Sequence, residues 1–128
     1  MNVLLDTNVC IDLLRGRTRG RRLPRAGDCR LSAVVVAELW VGAEKATAPA
    51  TQRQAVSAFI DLFPRVPFDG EAARHYGSIR AYLEAKGTPI GPLDLLIAAH
   101  ARSLEATLLT ANLGEFQRVP DLKCAAWG

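Results

Sequence analysis

Four acidic residues stand where an acid needs explaining: Asp6, Glu38, Asp94 and Glu115. Asp6 directly follows the apolar run Val3, Leu4, Leu5, so it either caps the next helix or faces a ligand beyond a strand end. Glu38 lies inside the apolar stretch Ala33–Val41. A lone carboxylate is costly to bury there, so it reaches a rim or meets a cation. Asp94 falls in a first helical turn after Gly91 and Pro92, where the helix dipole favours an acid anyway, with Ala98 and Ala101 below it on the same face. Glu115, alone, reads as an exposed loop acid. As a group, carboxylates brought to one sheet edge repel one another unless cations sit between them. Hard oxygen donors, in a chain with only two histidines, suit Mg²⁺ or Mn²⁺ better than Zn²⁺. Ions held in this way acidify water and neutralise phosphate charge, as phosphodiester hydrolysis requires.

The pattern of apolar runs and caps supplies elements to position these acids. It predicts a strand over 2–5, a helix over 8–15, and a loop over 16–28 with room for one helical turn. Arg30–Ser32 reads as a strand, with Ser32 the N-cap of a helix over 33–46. Thr51 is expected to cap a helix through Phe63, stopped by Pro64. Arg65–Phe68 reads as a strand, and Asp69 caps a helix over 70–86 ended by Gly87. Pro92 opens a helix over 92–104. Thr107–Thr110 and Lys123–Ala126 read as strands flanking a single turn at Leu113–Phe116. Short apolar strands alternating with helices argue a parallel sheet covered on both faces, whose ligands bind beyond the strand C-termini.

The net charge of +3 is concentrated: residues 15–30 carry seven arginines against one acid. That segment suits a polyanion, either nucleic acid or phosphate, or is a solvated loop; Arg15, Arg17, Arg19, Arg21 and Arg22 are its candidate nucleic-acid-binding residues. With 49% apolar residues over 128 positions, one domain, 1–128, with one core is expected. No apolar run exceeds five residues, far short of a bilayer span. The N-terminus lacks a basic region followed by a long apolar stretch, so a cytoplasmic location is expected. Cys10, Cys29 and Cys124 have neither zinc spacing nor an even count and read as small buried apolar residues.

Leu5-Asp6-Thr7-Asn8, Ala37-Glu38-Leu39 with Gly42, Gly91 to Ala99 around Asp94, and Thr110-Ala111-Asn112 with Glu115-Phe116 together resemble the PIN domain. More narrowly, they resemble the VapC-type toxins of bacterial toxin–antitoxin pairs, over nearly the whole chain. The resemblance implies a three-layer α/β/α sandwich with a short parallel sheet. It implies endoribonuclease activity dependent on Mg²⁺ or Mn²⁺, with Asp6, Glu38 and Asp94 as principal acids and metal ligands. Glu115 matches the fourth, variable acidic position, as Glu where Asp would ligate more securely. Thr110 and Asn112 match residues that steady the carboxylates, and Asn8 holds a similar polar position. A cognate antitoxin is implied that wraps the toxin and blocks the acidic cleft. Its expected form is an amphipathic helix in an apolar groove, followed by an Arg or Lys reaching the acids. Trp40, Phe59, Phe63, Tyr76 and Tyr82 are large for so small a domain, and a homodimer is the common way to bury such a patch.

Other chemistries fit less well. A haloacid-dehalogenase-like phosphatase needs Asp where Asn8 stands. His75 and His100 do not form a metal-binding HExxH helix, and no GxSxG turn marks a serine hydrolase. The rival from another class is a non-catalytic RNA-binding or partner-binding member of the same fold.

Overall fold

The computed structural model describes residues 2–128. Among them, five strands build one parallel sheet: β1 (Val3–Leu5), β2 (Cys29–Ser32), β3 (Arg65–Val66), β4 (Thr107–Thr110) and β5 (Lys123–Ala126), in the order β3-β2-β1-β4-β5. The helices are α1 (Thr7–Leu14), α2 (Ala33–Glu44), α3 (Pro49–Ile60), α4 (Gly70–Ala85), α5 (Pro92–Ser103) and the single turn α6 (Leu113–Phe116). A 3₁₀ turn at Ala26–Asp28 leads into β2.

The chain steps from β1 to β2 to β3 in one direction, then crosses back to β4 and β5 in the other. Right-handed crossovers therefore place helices on both faces, giving the expected three-layer α/β/α sandwich. The reversal makes β1 and β4 the neighbours from which the chain departs in opposite directions, where open α/β sheets form a ligand crevice. Their ends are level: Leu5 lies opposite Leu109, and the Asp6 N–H donates to the Leu109 carbonyl at 2.9 Å.

The apolar strand residues fill the middle layer. Leu4, Leu5, Leu31 and Leu108 are fully buried, with Val9, Val35, Ile79, Ile97 and Phe116 of the helices packed against the sheet. Ala98 and Ala101 of α5 are fully buried as well, small residues that let the helix carrying Asp94 lie close to its neighbours. Cys10 and Cys29 are buried, Cys124 is half-buried, and all three are free thiols.

Two expected caps hold: Ser32 Oγ accepts from Val34 N (3.1 Å) and Asp69 Oδ1 from Ala72 N (3.0 Å). Gly87 takes the left-handed conformation (φ 70°) that ends α4. Thr51, however, is not a cap. α3 begins at Pro49, whose ring presets the first-turn φ, so Thr51 lies inside the helix, which stops at Ile60 rather than Phe63. The aromatic residues expected to form a surface patch are mostly drawn inward: Phe59 is buried, Trp40, Phe63 and Tyr76 are half-buried, and only Tyr82 is exposed. Leu23, Val41, Leu62 and Leu93 are the other large apolar residues at the surface. Among the described residues, no helix is long and apolar enough to cross a membrane.

Candidate active site

Asp6 serves both roles its position allowed. It follows β1 in an extended conformation and N-caps α1, its Oδ1 accepting from Thr7 N at 2.8 Å. Its Oδ2 accepts from Thr110 Oγ1, at the end of β4, at 2.7 Å. Thr110 is fully buried, and its hydroxyl oxygen in turn accepts from Asn112 N at 2.9 Å. That bond leaves the hydroxyl proton directed at Asp6. Asp6 is only 3% exposed. Burial raises its pKa, the bonds from Thr110 and Thr7 oppose the rise, and the charge of Glu115 adds to it.

Glu38 projects from α2, two turns beyond the Ser32 cap, and is half-buried. Its Oε1 accepts from Thr7 Oγ1 at 2.7 Å. Thr7 thus touches two acids, Asp6 through its backbone and Glu38 through its hydroxyl. In the sequence Thr7 carries no role beyond its place in the Leu5-Asp6-Thr7-Asn8 motif. The signal was a hydroxyl immediately after Asp6, at the first helical position. Asn8, the polar neighbour expected to help, is exposed on α1 and makes none of the hydrogen bonds to the acids.

Glu115 approaches from α6, tied at both oxygens. Oε2 accepts from Asn112 Nδ2, and Oε1 accepts from Gly91 N, just ahead of α5, at 3.2 Å. Asn112 therefore steadies two acids, its backbone acting through Thr110 on Asp6 and its amide on Glu115. Gly91 was not anticipated, because a backbone donor leaves no mark in side-chain pattern.

Asp94, in the first turn of α5, completes the group. Its pKa is pushed up to about 7 by partial burial, then by the charge of Glu115 and a hydrogen bond shared with it, then by Asp6 and Glu38. Thr7 bridges Asp6 and Glu38, Thr110 and Asn112 link Asp6 to Glu115, and Glu115 takes the N–H of Gly91 at the start of the helix that carries Asp94, so the four candidates lie around the β1–β4 crevice. Among the described residues, no three His, Cys, Asp or Glu side chains close round one point as a metal cage. An open set of hard oxygen donors that repel one another fits a divalent cation that keeps several waters and takes few carboxylates, as Mg²⁺ does. Asp6, Glu38 and Asp94 are the carboxylates that could hold such an ion, with Glu115 beside them.

The arginines divide. Arg15, Arg17, Arg19 and Arg22 are exposed, whereas Arg21 is turned inward, its Nη1 donating to the Trp127 carbonyl at 2.6 Å. Beside the acids, α1, α2 and α3 enclose a groove of about 600 Å³ whose lining includes Glu38 and Arg15 at polar positions and Ile11, Leu39, Ala43 and Val56 at apolar ones.

The PIN-domain family model matches residues 3–122. The chain is a PIN-domain protein. This PIN domain is 38% identical to a tRNA(fMet)-specific endonuclease VapC of Salmonella typhimurium, over 99% of the chain and 98% of that protein. It is 36% identical, over the same shares, to the VapC of that name from Shigella flexneri. It is 35% identical to ribonuclease VapC2 of Haemophilus influenzae, again over 99% and 98%. Among solved structures, the DNA-bound VapBC of Salmonella typhimurium superposes with a TM-score of 0.89 at 35% identity, covering 100% of this chain and 99% of that one. The VapBC2 of Rickettsia felis, bound to a promoter DNA fragment, gives 0.89 at 31% identity and 100% of both chains. The chain therefore belongs to the VapC group of PIN domains.

Proposed function

We propose that this PIN domain, occupying residues 1–128, is an endoribonuclease and the toxin of a toxin–antitoxin pair, working in the cytoplasm. The observation that carries this reading is the hydrogen-bonded grouping of Asp6, Glu38 and Glu115 with the start of the Asp94 helix at one crevice; the raised pKa of Asp94 is in keeping with it. The full-length relatives named as ribonucleases support it.

The cofactor is Mg²⁺ or Mn²⁺. When bound, it supplies the activated water and the charge neutralisation that phosphodiester hydrolysis needs. The chain's own residues do the rest. Thr110 and Thr7 fix the rotamers of Asp6 and Glu38, so the acids meet the cation without first having to be ordered. Asn112 and Gly91 hold Glu115 against Asp94. The exposed Arg15, Arg17, Arg19 and Arg22 hold RNA phosphates flanking the cut. Two relatives carry tRNA(fMet) in their names, which makes the initiator tRNA the first substrate to assay. An antitoxin helix seated in the α1–α2–α3 groove brings a basic side chain to Glu38 at its edge. A homodimer covers exposed apolar residues, Leu62, Tyr82 and Leu93 among them.

Purified protein incubated with initiator tRNA and Mg²⁺ or Mn²⁺ should give a discrete cut that chelator abolishes. Binding without cleavage under both ions sinks the nuclease reading and leaves the non-catalytic RNA-binding member of the fold.

A further inference from the structure

Asp12, Arg21 and Trp127 form a side-chain anchor for the loop that follows α1. Trp127 is 4% exposed, and its Nε1 donates to Asp12 Oδ2 at 2.9 Å. Arg21 Nη1 donates to the Trp127 carbonyl at 2.6 Å, and Nη2 lies 3.7 Å from the same Asp12 oxygen. The guanidinium also stands 5.3 Å from the centre of a Trp127 ring, within cation–π range. The anchor is continuous with the acidic crevice. Trp127 N donates to the Thr110 carbonyl at 2.8 Å, and the Thr110 hydroxyl holds Asp6. Asp12 lies on α1, the helix that Asp6 caps.

The loop itself, residues 15–25, contains no strand or helix. It turns at Gly16 and Gly20, both at positive φ (68° and 75°), with backbone bonds from Arg17 N to the Asp12 carbonyl and from Arg21 N to the Thr18 carbonyl. On either side of the inward Arg21, its neighbours Arg19 and Arg22 face solvent, as do Arg15 and Arg17. We propose that the Asp12–Arg21–Trp127 clasp holds this loop so that its outward arginines meet the RNA backbone beside Asp6. Arg21, Asp12 and Trp127 are then positioning residues for RNA binding, and Arg21 itself touches no phosphate. A tethered loop is already ordered when RNA arrives, whereas a free one must be ordered by binding. This inference rests on the reading of the chain as an RNA-binding nuclease.

The test compares two sets of variants of the full chain. In one, Arg15, Arg17, Arg19 and Arg22 are replaced by Ala. In the other, the clasp is opened by Arg21→Ala or, separately, by Trp127→Phe, which keeps an aromatic ring and removes the donor. The probe is initiator tRNA, with affinity measured against salt without divalent ion and with kcat and KM measured in Mg²⁺. The outward set should flatten the salt slope by roughly 0.7 for each phosphate of single-stranded RNA that is no longer neutralised. The clasp variants should raise Kd and KM about tenfold with slope and kcat unchanged. Arg21→Ala, at a half-exposed loop position, keeps the test valid if Trp127→Phe does not fold. A flattened slope for Arg21→Ala makes Arg21 a phosphate ligand and overturns the proposal, as does an unchanged Kd. An outward set that binds like wild type also overturns it, because the loop then meets no RNA. Binding that follows this pattern without any cleavage overturns only the nuclease reading.

Discussion

At Asp94 the other three acids exert their effect, and its titration is a direct probe of the site. The carboxyl ionises near 3.8 in the unfolded chain and at about 7 in the fold. Between those values the folded protein retains a proton that the unfolded chain has released. The stability this group contributes is therefore complete below about pH 4, falls as pH rises toward 7, and changes no further once both states are ionised. Asp94→Asn removes that slope. Without divalent ion, the variant should melt level with wild type near pH 4 and above it at pH 7.5, as followed by circular dichroism; a variant that melts lower throughout would mean the carboxyl is not repelled. In the presence of Mg²⁺ the same variant should lose RNA cleavage by more than about a hundredfold, since even groups standing behind metal ligands are worth up to that much. Thr110→Val tests the support behind Asp6. It removes a buried hydroxyl that donates to a carboxylate, which should cost about 1–3 kcal/mol in a urea melt and lower kcat about 10–100-fold. Unchanged kcat would show that Asp6 needs no such alignment. Glu38 and Asp6 stand out in sequence because each breaks a local pattern, Glu38 in an apolar stretch and Asp6 at a strand end, whereas Asp94 fits an ordinary helix start and Glu115 an ordinary loop, and only the group of four points to them. Their supports are only partly legible: Thr110 and Asn112 belong to the motifs, but nothing local marks the Thr7 hydroxyl as a partner of Glu38, and the donor at Gly91 is backbone.

At the scale of elements, the sequence reads well wherever a local signal is decisive. β4 and β5 run over the residues their apolar pattern predicts, and Ser32, Asp69 and Gly87 punctuate helices as their chemistry requires. α3 was misplaced because Thr51 and Pro49 both signal a helix start, and the earlier, conformationally fixed residue wins. The Arg-rich loop was legible as charge but not as shape. Asp12 and Trp127 are 115 residues apart, and only the fold shows that Arg21 is inward while its neighbours face out. The His100–Ser32 contact is of the same kind: a fully buried ring on α5 lies 2.7 Å from the hydroxyl that caps α2, tying together the helices that carry Asp94 and Glu38. One element-level outcome follows from the loop's division. Replacing Arg19 and Arg22 by Ala should weaken RNA binding alike across sequences and flatten the salt dependence, because phosphate contacts carry no base information. Weakening confined to one RNA sequence would mean that these side chains read bases.

For the whole molecule, Glu38 is shared between the acidic group and the groove between α1, α2 and α3, and this geometry decides how an inhibitor can work. A basic side chain and a divalent cation satisfy the same repelling carboxylates, so a partner whose helix fills the groove and whose Arg or Lys reaches Glu38 excludes the cation without touching the fold. The groove is about 600 Å³, and much of its lining is small: Gly42, Ala43, Ala46, Ala48 and Ala55 leave room for an incoming helix. Ala55 lies on α3, is exposed, and sits apart from the acids in sequence. Ala55→Trp should therefore fill the groove while leaving Asp6, Glu38, Asp94 and Glu115 as they are. The purified variant should cut RNA at the wild-type rate. In cells, expression of either form alone should arrest growth. Co-expression of the short open reading frame expected beside the gene should rescue wild type but fail to rescue Ala55→Trp. Because the inhibitor's basic side chain and the metal compete, raising Mg²⁺ in vitro should also weaken inhibition of the wild type. Full rescue of Ala55→Trp, with inhibition indifferent to Mg²⁺, would move the inhibitor's seat to another face of the molecule.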